Sequence, residues 1–104
     1  METANTLHVL ALFIGHNIGD APTHSVDSVA DACVNVLNID GATFSECVGI
    51  WRGMRETSTR CEFVVDSNEC ARILSRVPAL CAALEQDAML ATIDGARPRF
   101  IERR

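Results

Sequence analysis

The chain contains no lysine. All nine of its basic residues are arginine, and they stand against fourteen acidic residues for a formal net charge of −5. That balance argues against a nucleic-acid groove or an anionic membrane surface as the main partner, since both recruit a net positive face. Tyrosine is absent as well, so no phenol hydroxyl is available to any site. No run reaches the roughly 18 apolar residues of a membrane-spanning helix. No cationic segment precedes an apolar run at the N-terminus, so no signal peptide is expected. Five cysteines (Cys33, Cys47, Cys61, Cys70 and Cys81) occur without a CxxC spacing. A metal site is therefore not expected, and reduced core thiols in a cytoplasmic protein fit better. Gly15-x-x-x-Gly19 lacks the Lys and Ser/Thr of a phosphate loop, which removes nucleoside triphosphate hydrolysis. There is no internal repeat and no low-complexity linker.

What is present is the composition of one globular domain spanning residues 1–104, with 48% apolar and 22% charged residues. Leu7 to Ile14 is nearly all apolar and stops at Gly15, the pattern of a central strand covered on both faces. A loop follows through Pro22. Thr23 or Ser25 can cap a helix in which Val26, Val29, Ala30, Cys33, Val36 and Leu37 keep the helical spacing. Phe44 to Trp51 and Thr59 to Val65 alternate as two strands joined by a hairpin loop. Asp66 to Glu69 resembles a capping box for a second helix carrying Ile73, Val77, Leu80 and Leu84. Pro78 lacks a backbone donor and crowds the Leu74 carbonyl, so that helix is expected to kink or split between Ser75 and Pro78. Ala88 to Ile93 reads as another strand. Asp94-Gly95 is a turn, and Arg97 to Ile101 reads as a short edge strand.

The order strand, helix, strand, strand, helix, strand fits an α+β, ferredoxin-like (split βαβ) sandwich: an antiparallel sheet with two helices on one face. Such a sheet has one uncovered face. Neighbours in a strand point opposite ways, so Trp51, Phe63 and Val64 cannot all lie under the helices. An oligomer is expected to cover the rest.

Three short motifs add to this. They are Gly49-Ile50-Trp51-Arg52, then Glu56-x-Ser58 just before a strand, then a helix ending in Glu85-Gln86-Asp87-Ala88-Met89-Leu90. Together the pattern resembles the small phage-encoded S-adenosylmethionine lyases, formerly called S-adenosylmethionine hydrolases, over about residues 44–93 and more loosely the first strand. The resemblance implies a ferredoxin-like homotrimer with ligand at the subunit interfaces, acting in the cytoplasm of an infected host cell. It puts Glu56 on the family's functional acid, and Trp51, Ser58, Gln86 and Asp87 at substrate-binding positions. The family has a tyrosine where this chain has Trp51. An indole can offer a cation–π surface to a sulfonium but no hydroxyl.

The implied reaction suits a site without a nucleophilic triad, a metal or a cofactor. The carboxylate of S-adenosylmethionine can attack its own γ-carbon and expel methylthioadenosine, leaving homoserine lactone. The protein must hold the methionine chain folded, a proximity effect, and favour neutralisation of the sulfonium as the bond breaks. The other function that fits is a non-enzymatic oligomeric small-molecule-binding or host-inhibitor protein. The set Glu56, Ser58, Gln86 and Asp87 discriminates, because a pure scaffold has no reason to combine them. His16 and His24 flank the first loop; their spacing is no metal signature, and surface positions are expected for both.

Overall fold

The computed structural model describes residues 6–103. Nine elements follow one another: β1 (Leu7–Gly15), β2 (Asn17–Ile18), β3 (Ala21–Pro22), α1 (Val26–Leu37), β4 (Thr43–Trp51), β5 (Met54–Asp66), α2 (Ser67–Ala83), β6 (Ala88–Ile93) and β7 (Ala96–Glu102). Five strands form one antiparallel sheet in the order β4-β5-β1-β6-β7. This is the split βαβ arrangement with β7 added at one edge, as expected from the order of elements. β2 and β3 form a separate small hairpin inside the segment expected to be a plain loop.

Alternation decides which residues enter the core. Leu10, Leu12 and Ile14 of β1, Cys61 and Phe63 of β5, and Met89 and Ala91 of β6 point to the helices and are fully or almost fully buried. They meet Val29, Cys33 and Leu37 of α1 and Cys70, Ile73, Val77, Leu80 and Cys81 of α2. The intervening residues form the other face, which no helix covers. Val9, Val64 and Phe100 are exposed there, and the Arg60 guanidinium lies 5.6 Å from the centroid of the Phe13 ring. Cys33, Cys61, Cys70 and Cys81 are buried free thiols and Cys47 is half-buried. A hydrogen bond with Cys33, then burial, pushes the Cys61 thiol well up, so it stays protonated. Among the described residues no group of three or more His, Cys, Asp or Glu side chains is arranged to hold a metal ion. No helix is long and apolar enough to cross a membrane.

Caps set the helix ends. The Ser25 side chain accepts from the Ser28 backbone, and the Ser28 hydroxyl returns to the Ser25 backbone, closing a capping box. Asp66 caps α2 by accepting from Glu69 N at 2.8 Å. The expected break at Pro78 does not occur: α2 runs as one helix from Ser67 to Ala83. The lost backbone bond is a local cost. Ile73 and Val77 on one side, and Leu80 and Cys81 on the other, are all buried in the core, so tertiary packing keeps the helix continuous through Pro78.

A second correction concerns the β4–β5 hairpin. Its loop is only Arg52-Gly53, both at positive φ (51° and 77°), as a type I′ turn requires. β5 begins at Met54. Glu56 and Ser58 therefore lie within a strand, paired with Gly49 and Cys47. β1 ends at Gly15, opposite Ser58, so the hairpin beyond that point is a two-stranded arm. Ile50 and Met54 are 73% and 72% exposed on its two faces, and Val48 is exposed beside them. The arm curls over the open face of the sheet far enough for Trp51 to meet Phe100 on the opposite edge strand, ring centroids 6.4 Å apart and edge-on.

Candidate functional site

The side chains that can do chemistry converge where the arm leaves the sheet, at the C-terminal end of β1. Ile14 points to the helices, so any side chain at Gly15 would point to the open face. A β-carbon at Gly15 would overlap the Glu56 carboxylate and stand 3.3 Å from Gln86 Oε1. Two groups from distant parts of the chain thus share the space that Gly15 leaves empty. One register step away, a β-carbon at Gly49 would lie 3.6 Å from the Ser58 hydroxyl. Ser58 is nearly buried.

Gln86 is delivered by the end of α2. Leu84 closes the helix, and Glu85 sits in the left-handed region at φ 53°. Gln86 N then donates to Cys81 O at 2.9 Å, and Glu85 N to Ala82 O at 3.2 Å. This is a Schellman closure with glutamate in the position glycine usually takes. It reverses the chain and throws the Gln86 side chain toward β1. There its amide donates to Asn17 O at 2.8 Å and more weakly to Leu84 O at 3.3 Å. Both acceptors are carbonyls, so the nitrogen must face them and the oxygen must face the Gly15 space.

The loop of β2 and β3 is tied down around these groups. Thr23 N and His24 N both donate to His16 O, and His16 N donates to Thr57 O. His24 Nε2 donates to Leu84 O at 2.7 Å. His16 is buried rather than at the surface, its Nε2 2.6 Å from Thr59 Oγ1 on the helix side of the sheet. Burial lowers its pKa, against a smaller opposing effect of Glu46, so His16 is neutral near pH 7. His24 is half-buried. Both histidines are anchors of the loop.

Glu56 is half-buried and has no hydrogen-bond or ion-pair partner among the described residues. Burial alone raises its pKa above the ordinary carboxylate value; no neighbouring charge contributes. A carboxyl group in this state gains by meeting a cation or a group rich in N–H or O–H donors. The amide oxygen of Gln86 adds a second acceptor.

Of the five residues expected at the site, Glu56, Gln86 and Ser58 come together. Trp51 lies at the arm tip against Phe100, with the Arg52 guanidinium 5.6 Å from the centroid of its ring. The Asp87 side chain is fully exposed, 3.8 Å from Arg103. Gly15 and the Asn17 carbonyl were not foreseen. A lone glycine closing an apolar strand was the available signal, since glycine there often marks a close approach. Two open grooves of the chain lie elsewhere, one between α2 and β7 at Leu74, Pro78 and Phe100, the other around Ile39, Val64 and Ile73. The Glu56 site lies on the face of the sheet that no helix covers, as an open shelf on the single chain.

No protein-family model and no curated protein matches the sequence. Solved structures do match. A phage S-adenosylmethionine (SAM) lyase in complex with S-methyl-5′-thioadenosine has a TM-score of 0.81 and 16% identity, covering 98% of this chain and 94% of that one. A phage SAM lyase in the apo state has a TM-score of 0.79 and 16% identity, covering 93% and 90%. A DUF3240 family protein from Shewanella baltica is more distant, with a TM-score of 0.60 and 16% identity over 86% and 89%. The chain has the fold of the phage SAM lyases over almost its whole length.

Proposed function

We propose that this protein is a SAM lyase that cleaves SAM to methylthioadenosine and homoserine lactone by intramolecular displacement. The observation that carries the reading is the unpaired, half-buried Glu56 beside Gln86, in a chain whose fold matches a phage SAM lyase with methylthioadenosine bound. A carboxylate oxygen of the substrate forms a bond to its own γ-carbon. The S–Cγ bond breaks with its electron pair going to sulfur. A sulfonium and a carboxylate are consumed, and a neutral thioether and a lactone appear. No water, metal or cofactor enters the balance.

In this reading Glu56 receives the cationic substrate and holds the methionine chain folded, so that the attacking oxygen and the γ-carbon are in reach. Gln86 Oε1 accepts from a second donor of the same ligand, and Ser58 completes the floor beside Gly49. Glu56 acts by charge and position and does not bond covalently to the substrate. Trp51 stands one register step beyond the Gly49–Glu56 pair on the same face of the arm, where its ring can flank the ligand, and Asp87 at the α2–β6 turn is its polar neighbour beyond Gln86. We also propose a homotrimer. Its support is the open shelf at Glu56 together with apolar Val48, Ile50, Met54 and Val64, which are exposed on the single chain. The proposed setting is the cytoplasm of a phage-infected cell, where loss of SAM starves methyltransferases of their donor.

The test is product formation from SAM by the wild type and by Glu56→Gln at matched oligomer content. Glu56→Gln keeps the shape and removes the charge. Loss of one charge-assisted contact to the reacting ligand is worth about 2–4 kcal/mol, or roughly 30- to 1000-fold in rate. Equal turnover would remove Glu56 from the mechanism. Saturable SAM binding without turnover by the wild type would leave the binding protein as the function.

A further inference from the structure

Glu56 and Gln86 are 30 positions apart in sequence and enter from a strand and a helix terminus. Their meeting depends on a third residue that carries no chemistry. Any β-carbon at position 15 would occupy the volume now taken by the Glu56 carboxylate and press on Gln86 Oε1. The Gln86 amide cannot give way easily, because its nitrogen is held by two carbonyls, Asn17 O at 2.8 Å and Leu84 O at 3.3 Å. Glu56 can give way, because nothing in the described chain holds its carboxylate. Gly15 is not at a positive φ and pairs regularly with Ser58 in the ladder. Its backbone is therefore one that any residue can adopt, and glycine is not required there for folding.

We infer that Gly15 is a positioning residue: the missing β-carbon at the end of β1 holds open the space in which Glu56 and Gln86 act together as a pair of acceptors. The inference rests on the functional reading above for its effect on turnover, and on geometry alone for its effect on Glu56. It makes Gly15→Ala a specific lesion. The strand, the core and the helix cap stay in place, while the Glu56 side chain swings off the shelf toward solvent.

Three readouts separate this from a structural role. First, the thermal midpoint and the oligomer mass of Gly15→Ala should match the wild type. Second, the ¹³C carboxyl titration of Glu56, assigned by its loss in Glu56→Gln, should move down toward the ordinary glutamate value in Gly15→Ala, because exposure removes the burial that raises it. Third, SAM turnover should fall about tenfold or more, as expected of a misplaced catalytic group. Adding Gly15→Ala to Glu56→Ala should then cost less than about twofold more, because the residue it acts through is already gone. An unchanged Glu56 titration in folded Gly15→Ala overturns the inference, and so do losses that multiply in the double variant. If the wild type proves inactive on SAM, the functional reading fails on its own, and the carboxyl titration alone still decides whether Gly15 positions Glu56.

Discussion

The two ends of β5 obey opposite rules. At its C-terminal half, Cys61 and Phe63 are wholly buried under the helices, and every apolar side chain on that face has a partner within the chain. At its N-terminal end, from Met54 to Thr57, the strand pairs only with β4, and Ile50, Trp51 and Met54 stand exposed on the arm. One strand thus serves as a wall of the core and then as an outrigger. Glu56 and Ser58 lie at the changeover, beside the last residue of β1. Both point to the face that no helix covers, at the place where β1 stops and the strand continues with β4 alone. The fold keeps its core contacts in one half of the strand and leaves the apolar residues of the other half exposed.

The comparison can be broken most forcefully at the buried end. Phe63→Ala should destabilise by about 3–5 kcal/mol, through lost burial and the cavity left behind, and urea denaturation should show it. Thr59→Val, closer to the changeover, should cost about 1–3 kcal/mol, because it leaves the buried His16 imidazole without its partner. At the exposed end the same size of chemical change should hardly touch folding. Ile50→Asp should shift stability by less than about 0.5 kcal/mol, while light scattering should report a loss of trimer. A full-size trimer in that variant would remove the arm from the assembly interface.

The two regions should also separate by pH. The buried His16 has a lowered pKa in the fold, so the unfolded chain binds the proton more readily. Stability should then fall as pH drops through the ordinary imidazole value of about 6.5. His16→Gln should flatten that slope. Glu56 works in the other direction. Its pKa is raised in the fold, so its contribution favours the folded state as pH falls and weakens as pH rises through the folded value. In the proposed reaction the charged form of Glu56 receives the substrate, so the acidic limb of the rate profile should lie above the ordinary glutamate range and vanish in Glu56→Gln.

The core half was legible in the sequence because its patterns are enforced by burial on one side. Val29, Cys33 and Leu37 keep a helical period, and Cys61, Phe63 and Val65 keep a strand period. The arm carries apolar residues on both faces and none of the usual Asn-Gly signal at its turn. Arg52 adopts the left-handed conformation in its place, so the hairpin loop was expected to be longer than it is. Pro78 was expected to break α2, but the packing of Val77 and Leu80 outweighs one missing hydrogen bond. At the site, Glu56, Ser58 and Gln86 were named from a resemblance to a family. That Glu56 and Gln86 share the space left by the β-carbon missing at Gly15 depends on tertiary geometry that no local pattern encodes. Trp51 and Asp87 were named by the same route; Trp51 shares the face of Glu56 one register step away and touches Phe100, and the Asp87 side chain faces solvent.

Cleavage of SAM by attack of the substrate's own carboxylate is the proposed reaction. It is tested most directly by running the reaction in H₂¹⁸O and examining both products by mass spectrometry. Intramolecular displacement predicts methylthioadenosine together with homoserine lactone free of ¹⁸O, since both lactone oxygens come from the substrate. Homoserine carrying ¹⁸O in its γ-hydroxyl would mean that water is the nucleophile, and no methylthioadenosine at all would mean that the Glu56 shelf does not cleave SAM.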